Sequence, residues 1–251
     1  MERFFLNPDQ IVEGAVTFPE DLSKQIRKVL RLDPKKDAVI VLDNSGWEYL
    51  VQLDGTVANL VTGHIVDKQP GRDGPAIQLH LAYSLSRREK IEWIVQKGTE
   101  LGISNFYPYI SSRSLVQDLK TNRARQDRLE AIAREACEQS LRAKLPTLMQ
   151  VSSYEEMLKH TCTHDVKLIA WEGTAIVQRI GPNVLEPLMG SSNRSVVLLI
   201  GPEGGFSAEE VNLAEKYGFQ QISFGNSILR METACLAGSA ILRNLGDSLM
   251  R

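Results

Sequence analysis

The sequence contains few cysteines, and they form no recognisable pattern. Only Cys137, Cys162 and Cys235 occur in 251 residues. Their number is odd and their spacing is wide, which argues against a disulfide framework and indicates free thiols in a reducing cytosol. We therefore expect a cytoplasmic protein.

Long hydrophobic runs are also missing. No apolar segment approaches the roughly 20 residues that span a bilayer. The first ten residues, MERFFLNPDQ, contain acids and a proline instead of the apolar core of a signal peptide. The sequence therefore predicts a protein that is neither secreted nor membrane-spanning.

A metal site has little support in the sequence. The run from His160 through Cys162 to His164 offers three possible ligands, but it lacks the paired spacing of CxxC or HExxH. We expect no bound metal.

The chain lacks an excess of charge of either sign. Its 29 Lys and Arg against 31 Asp and Glu give a net charge of −2, which excludes a uniformly basic nucleic-acid coat. The charges are nevertheless sorted along the chain. Residues 86–144 carry twelve bases and eight acids, whereas residues 145–251 carry eight bases and eleven acids. The basic middle fits either a solvated surface or a local polyanion site.

The first seventy residues read as a small β-domain. Short β-like runs, separated by turn residues at 43–46 and 54–55, occur at 12–18, 38–42, 47–53 and 57–66. Such spacing suggests a small barrel or sandwich. One interruption, 22–32, places apolar residues at helical spacing among bases and predicts a short basic helix whose apolar stripe is Leu22, Ile26, Val29 and Leu30.

A second domain follows a connection that is rich in proline and glycine. The stretch 68–75 has no periodicity, so we place the boundary there, with domains at 1–72 and 73–251. Beyond it, strands at 77–83, 103–109, 166–171, 196–200 and 221–224 alternate with helices. This alternation predicts a mostly parallel sheet covered on both faces, hence an α/β fold. Ser86 and Glu89 predict a capping box for its first helix, which Gly102 terminates.

The sharpest motif is an apolar strand, 196–200, that runs into the glycine-rich turn 201–207 and then a helix. This order places backbone N–H groups at the carboxyl edge of a sheet, where α/β proteins bind ligands. The turn is neither a phosphate loop nor a dinucleotide fingerprint, because GxxxxGKS/T and GxGxxG are absent. The glycines alternatively serve only to permit positive φ. Glu203 among them is well placed to accept hydrogen bonds from a ligand.

Two further constellations carry polar side chains. The loop from Gly225 leads to Arg230, Glu232 and Thr233, which open the last helix. These residues form either a surface pair with a Thr cap or, with the first motif, a shared pocket. On the predicted helix 125–141 and just beyond it, a stripe of Arg128, Glu135, Gln139 and Arg142 is either a solvated face or a reader of phosphates and base edges.

Six motifs in order then resemble one known family. The segments are KVLRL (28–32), QKGTELGI (96–103), SRSLV (112–116), EACEQSLRAKLP (135–146), LIGPEGGFS (199–207) and ILRMETA (228–234). Together they resemble the SPOUT (trefoil-knot) RNA methyltransferases of the RsmE type, which methylate N3 of a uridine in small-subunit (16S) ribosomal RNA.

The resemblance implies an N-terminal PUA-like β-barrel that contacts RNA and a C-terminal trefoil-knotted α/β methyltransferase domain. It also implies a homodimer that acts on small-subunit ribosomal RNA within the assembled 30S subunit. S-adenosyl-L-methionine is expected among three loops, with the binding residues Trp171, Glu172, Gly173, Ile200, Gly201, Pro202, Glu203, Gly204, Gly205, Gly225, Ile228, Leu229, Arg230, Glu232, Thr233 and Ala234.

The implied reaction needs a group that removes the N3 proton or stabilises the resulting anion. Glu203 and Glu232 are candidates for the base, with no choice between them from sequence, and Arg230 is the candidate for the cation. The predicted RNA-binding residues are Lys28, Arg31, Arg113, Arg128, Gln139 and Arg142.

Three alternatives remain open at this point. A knotted methyltransferase could act on a ribose 2′-hydroxyl or on guanine N1. The chain could be an RNA-binding assembly factor without catalysis. A nucleotide-binding α/β protein is weakened by the missing phosphate-loop lysine.

Overall fold

The computed structural model describes residues 1–71, 77–117, 123–173, 178–189 and 194–249. The chain divides into two compact units: residues 1–74 with 137–145, and residues 75–136 with 146–251. The boundary predicted at 72/73 lies outside the described residues. The membership of 137–145 in the first unit was not predicted.

The first unit contains a six-stranded sheet among its described residues. Its strands are β1 (Arg3–Phe5), β2 (Ile11–Val12), β3 (Ala15–Thr17), β4 (Ala38–Leu42), β5 (Trp47–Val57) and β6 (Leu60–Pro70). They lie in the order β1-β4-β5-β6-β3-β2, and all pairs are antiparallel except β1 with β4. A short 3-10 helix, Pro8–Gln10, precedes β2.

The β5–β6 hairpin turns later than predicted. The turn is Ala58–Asn59, with φ of +48° and +70°, instead of 54–55. Two consecutive positive φ values are what a tight hairpin needs to match the twist of its strands. Gly55 is absorbed into β5 at a register shift. Because β6 continues to Pro70, the residues 68–70 predicted as linker are strand.

The basic helix is also less regular than predicted. It consists of α1 (Glu20–Lys24) followed by a π-helical turn, Gln25–Val29. Ile26 is buried, but Val29 is 72% exposed. The wider π turn inserts a residue and so rotates Val29 off the apolar stripe to which it was assigned.

The second unit holds an eight-stranded parallel sheet among its described residues, as the alternating pattern predicts. Its strands are β7 (Gln78–Ser84), β8 (Ile103–Ile110), β9 (Thr147–Leu148), β10 (Ser152–Ser153), β11 (Val166–Ala170), β12 (Gln178–Arg179), β13 (Ser195–Ile200) and β14 (Gln220–Ser223). The order is β10-β8-β7-β13-β11-β14-β12, with β9 beside β8.

Among the described residues, five α-helices belong wholly or partly to this unit. They are α2 (Arg88–Glu100), α3 (Arg123–Gln139), α4 (Tyr154–Thr161), α5 (Ala208–Lys216) and α6 (Met231–Ser248), with a 3-10 helix at Pro182–Leu188. Apolar side chains of α2 and α6 belong to the core on one face of the sheet, and those of α4 and α5 to the core on the other. None of the helices in the described residues is long and apolar enough to cross a membrane.

Two predicted helix ends are wrong. Helix α2 begins at Arg88 with Arg87 as its N-cap, and Ser86 donates its hydroxyl to Glu203 instead of forming a capping box with Glu89. Helix α3 ends at Gln139, because Leu141 adopts a φ of +62° that no helix continues through. Arg142 therefore lies beyond the helix to whose face it was assigned.

Candidate functional site

A cavity of about 610 Å³ lies at the carboxyl edge of the parallel sheet. Strands β13, β11 and β14 are neighbours and run in the same direction, so the segments that follow them meet at one edge. The cavity is lined by Lys90, Ala170, Trp171, Glu172, Ile200, Gly201, Pro202, Glu203, Gly204, Gly205, Phe206, Ile222, Ser223, Phe224, Ile228, Leu229, Arg230, Met231 and Ala234.

The glycine-rich turn after β13 requires its glycines. A Cβ on Gly201 would lie 2.9 Å from the ring of Phe206, and Gly205 has a φ of +68° with open space beside it. The following helix α5 is capped by Ser207, whose hydroxyl accepts from the backbone N–H of Glu210. The turn thus keeps its backbone exposed to the cavity while its ends are fixed.

Arg113 holds this turn from outside the cavity. Its Nη1 donates to the carbonyl oxygens of Gly204 at 3.1 Å and Phe206 at 3.4 Å. The adjacent Ser112 donates its backbone N–H and its hydroxyl to Glu210. Arg113 is predicted to bind RNA, and these contacts show that its guanidinium also fixes the glycine-rich turn.

Glu203 is bound from the segment that follows β7. Its Oε1 accepts from the hydroxyl of Ser86 at 2.5 Å and from Nζ of Lys90 at 2.9 Å. Burial alone would raise the pKa of Glu203, but these two hydrogen bonds outweigh it, so the pKa lies below its usual value. Glu203 is therefore held as a carboxylate.

Lys90 also reaches the first turn of α6. Its Nζ lies 3.1 Å from Oε2 of Glu232, so a single ammonium bridges a carboxylate of the glycine-rich turn and a carboxylate of helix α6. The hydrogen bond to Glu203 is the largest influence on Lys90, and with Glu232 it raises the pKa of the amine above its usual value. One lysine thus pairs with two glutamates.

The loop after β14 supplies the remaining wall. Gly225 has a φ of +121° with open space beside it, and Arg230 is the exposed N-cap residue of α6. Gly173 and Gly225 line an adjoining cavity of about 380 Å³. Thr233 is exposed and lines neither cavity, so the structure does not bring it to the site.

Most of the predicted cofactor residues thus meet at one place. The loop residues 200–205, Trp171, Glu172, Ile228 to Arg230 and Ala234 line the larger cavity, and Glu232 joins it through Lys90. Sequence reasoning missed Lys90 and Ser86, and also the lining residues Ala170, Phe206, Ile222, Ser223, Phe224 and Met231. The sequence signal for Ser86 was its position two residues after β7, a strand whose end faces the same edge of the sheet.

The predicted RNA residues divide between the two units. Lys28 and Arg31 are exposed in the first unit, which also contains Gln139 and Arg142. In the second unit, Arg128 donates through Nε and Nη2 to both oxygens of Glu92, at 2.5 and 2.9 Å. This pair, with Arg88, lowers the pKa of Glu92 to about 2.

The 160–164 run does not assemble a cluster of ligands. His164 stacks on His80 with ring centroids 4.2 Å apart. Within the described ranges, no group of three or more His, Cys, Asp and Glu side chains is placed to hold a metal ion.

Comparisons with known proteins identify a family of relatives. The sequence model of the RNA methyltransferase domain family matches residues 73–243. A ribosomal RNA small subunit methyltransferase E from Bacillus subtilis (strain 168) is 31% identical over 94% of this chain and 93% of its own length. The protein of the same name from Mesomycoplasma hyopneumoniae (strain 232) is 31% identical over 94% of this chain and 96% of its own.

A solved structure is similar over the same extent. The crystal structure of a ribosomal RNA small subunit methyltransferase E from Neisseria gonorrhoeae, bound to S-adenosyl methionine, has a TM-score of 0.80 and 28% identity, and the match covers 98% of both chains.

Proposed function

The chain belongs to the RNA methyltransferase family, among the ribosomal RNA small subunit methyltransferases E, and we propose that it methylates N3 of a specific uridine in 16S ribosomal RNA. S-adenosyl-L-methionine is the methyl donor of this reaction. The supporting observation is the cavity at the carboxyl edge of the sheet, whose walls carry the glycine-rich turn with Glu203, the ammonium of Lys90 and Arg230. Glu232 joins this cavity through its ion pair with Lys90.

The second unit has the α/β methyltransferase fold, and we propose that its C-terminal part forms the family's trefoil knot. We likewise propose that the first unit is a PUA-like RNA-binding barrel. Its largely antiparallel sheet and its core around Phe18 and Ile26 support that proposal. The proposed domain limits remain 1–72 and 73–251, with 137–145 packed on the first domain.

The cavity suits a cationic nucleoside. A volume of about 610 Å³ lies within the range of small-molecule sites. Ala170, Ile222 and Leu229 offer an apolar wall, whereas the lining carboxylates of Glu172 and Glu203 offer negative charge. When bound, S-adenosylmethionine supplies an electrophilic methyl group for in-line displacement. The three loops and the residues predicted for them would hold it.

The chain's own residues must manage the N3 proton of uracil. Glu203 is a weak candidate for the base, because its Oε1 already accepts two hydrogen bonds and its pKa is lowered. Glu232 is bound only through Lys90 among the contacts described and is our candidate for the acceptor. Arg230, exposed at the cavity, is positioned to stabilise the negative charge that spreads over uracil O2 and O4.

For the RNA, we propose contacts by Lys28, Arg31, Arg113, Arg128, Gln139 and Arg142. Arg128 is already paired with Glu92, so its charge is partly neutralised before RNA binds. We expect Lys28→Ala to reduce the slope of log K against log salt by about one unit. Arg128→Ala should reduce it by less. Equal reductions in both variants would contradict this ranking.

The enzyme is proposed to act as a cytoplasmic homodimer on the assembled 30S subunit. To test the activity, we would incubate it with labelled S-adenosylmethionine and small subunits from cells that lack it, beside naked 16S RNA. Nuclease digestion and mass spectrometry then identify the nucleoside. N3-methyluridine supports the proposal, whereas a 2′-O-methyl nucleotide or N1-methylguanosine overturns it. If calorimetry detects no binding of S-adenosylmethionine, the result favours an RNA-binding assembly factor without catalysis.

A further inference from the structure

Lys90 connects three separate elements around the cavity. It lies in the first turn of α2, and its Nζ is 2.9 Å from Oε1 of Glu203 and 3.1 Å from Oε2 of Glu232. Glu203 belongs to the turn after β13, and Glu232 to the first turn of α6. No other cation is within salt-bridge distance of these two carboxylates among the residues that the structure describes.

The three side chains are partly shielded from water. Their exposed fractions are 29% for Lys90, 25% for Glu203 and 18% for Glu232. Two carboxylates so close and so shielded repel each other unless a cation lies between them. The lysine therefore determines whether both can be charged at once.

The other charged and titratable groups around Lys90 are paired elsewhere, buried, or on the cavity wall. On its own helix, Arg88 pairs with Glu92. On α6, Cys235 is buried, and burial together with Glu232 keeps its pKa far above neutrality, so it stays a thiol. Glu172 and Arg230 line the same cavity. Lys90 is the group that contacts both carboxylates.

We propose that Lys90 is a positioning residue of the methyltransferase site, whose ammonium ties the glycine-rich turn to the start of α6 and keeps Glu203 and Glu232 ionised together. This inference rests on the proposed function, because it assigns the tie to the cofactor cavity. It adds a residue from the β7–α2 segment to a site otherwise built from three other loops.

The test measures binding of S-adenosylhomocysteine, the stable demethylated product, by calorimetry at pH 6, 7 and 8. We expect Lys90→Met to weaken binding about tenfold at pH 8, as for the loss of a charged hydrogen-bond partner. The loss should grow as the pH falls, because one of the two unpaired carboxylates then takes up a proton. Lys90→Arg should restore most of the affinity.

The matched control is Lys97→Met on the same helix, because Lys97 pairs with Glu100 away from the cavity. It should bind like the wild type at each pH. If Lys90→Met has wild-type affinity and wild-type pH dependence, the tie is overturned. Should Lys90→Met fail to fold, Lys90→Gln keeps the hydrogen-bond donors without the charge and should show the same pH-dependent loss.

A second readout needs no cofactor, which separates this inference from the proposed function. If the wild type does not bind S-adenosylhomocysteine, the proposed function fails. The role of Lys90 in joining Glu203 to Glu232 is then tested by urea unfolding alone. Lys90→Gln should lose more stability relative to wild type at pH 8 than at pH 5.5, because protonation of one carboxylate relieves the repulsion. A stability loss that is the same at both pH values would overturn it.

Discussion

Arg230 is the residue proposed to stabilise the negative charge that develops on uracil. It is the N-cap residue of α6 and lies exposed on the cavity wall, so its guanidinium is available to a bound base. We expect Arg230→Ala to reduce methyl transfer at least about 100-fold, the scale for loss of one stabilising group in a transition state. Affinity for S-adenosylhomocysteine should stay within about threefold.

Labelled methyl transfer to 30S subunits and calorimetry measure the two quantities separately. Lys216→Ala, an exposed cation at the end of α5, is the control and should leave both unchanged. Normal turnover in Arg230→Ala would remove Arg230 from the mechanism.

Replacing Glu203 and replacing Glu232 should affect different steps, cofactor binding in the first case and methyl transfer in the second. Glu203 is tied to Ser86 and Lys90, so Glu203→Gln should mainly weaken cofactor binding by loosening the turn. Glu232→Gln removes the proposed proton acceptor and should lower the single-turnover rate by about 100-fold or more, the scale for general base catalysis. Single-turnover rates of both variants, measured at saturating cofactor, show which carboxylate accepts the proton. A larger rate loss in Glu203→Gln would reverse the assignment.

His80 makes stability sensitive to acid. It is 3% exposed and stacked on His164 beside Tyr107. Both of its ring nitrogens are buried, with no hydrogen-bond partner in the part of the chain that the structure describes. Burial, helped by repulsion from His164, lowers its pKa to about 3, while the unfolded value is about 6.5. The unfolded chain therefore binds the extra proton between these values, so stability falls as the pH drops below 6.5.

His80→Phe should remove this term. Between pH 7 and 4.5, urea unfolding of the wild type should lose about 2 kcal/mol more stability than the variant does. His160→Gln, an exposed position on α4, should behave like the wild type. Identical losses in wild type and His80→Phe would show that the buried histidine becomes protonated without cost.

At the scale of elements, periodicity located the strands better than it located their ends. Five strands of the parallel sheet, β7, β8, β11, β13 and β14, lie within one residue of the apolar runs that predict them, because both faces of that sheet are buried. The two-residue strands β9, β10 and β12 were not predicted. The hairpin turn was placed at 54–55 on the strength of Asp-Gly, but the chain turns at Ala58–Asn59. A register shift within β5 accommodates Gly55, and composition does not reveal such a shift.

At Gly63 the β5–β6 hairpin leaves no room for a side chain. It lies opposite Leu53 in β6, and a Cβ there would be 2.6 Å from the carbonyl oxygen of Gln52, a backbone atom that cannot rotate away. We expect Gly63→Ala to lower the free energy of unfolding by about 2 kcal/mol, within the range for overpacking. Val66→Ala, half-exposed on the same strand, is the control and should change it by less than about 0.5 kcal/mol. An unchanged melting midpoint for Gly63→Ala would contradict the clash.

For the whole molecule, sequence motifs located the site but not all of its parts. The turn after β13 and the loop after β14 were both identified, since glycines and charged residues follow apolar strands there. Lys90 was missed because its partners, Glu203 and Glu232, are more than a hundred residues away and only the sheet order brings them together. The RNA contacts predicted for Arg113 and Arg128 stay predictions, but the sequence did not show the carbonyl and the carboxylate that already engage these two side chains.

The two-unit organisation yields a prediction about fragments. Residues 137–145 return to the first unit, where Cys137 and Ala143 pack with Phe5 and Leu42. A fragment of residues 1–71 therefore lacks part of its own core. Uncovering two large apolar side chains costs roughly 3–6 kcal/mol, comparable to the whole stability of a small domain.

We expect the 1–71 fragment to unfold without a cooperative transition in circular dichroism. The same fragment with residues 136–146 attached through a flexible glycine–serine linker should regain one, because Ala143 and Leu145 can again cover Phe5 and Leu42. Replacing Ala143 by Asp in the linked version should abolish the gain, since a buried carboxylate would face apolar neighbours. If residues 1–71 alone melt as cooperatively as the linked fragment, the returning segment contributes nothing to the first unit, and the predicted limit at residue 72 describes the folding unit better than the contact pattern does.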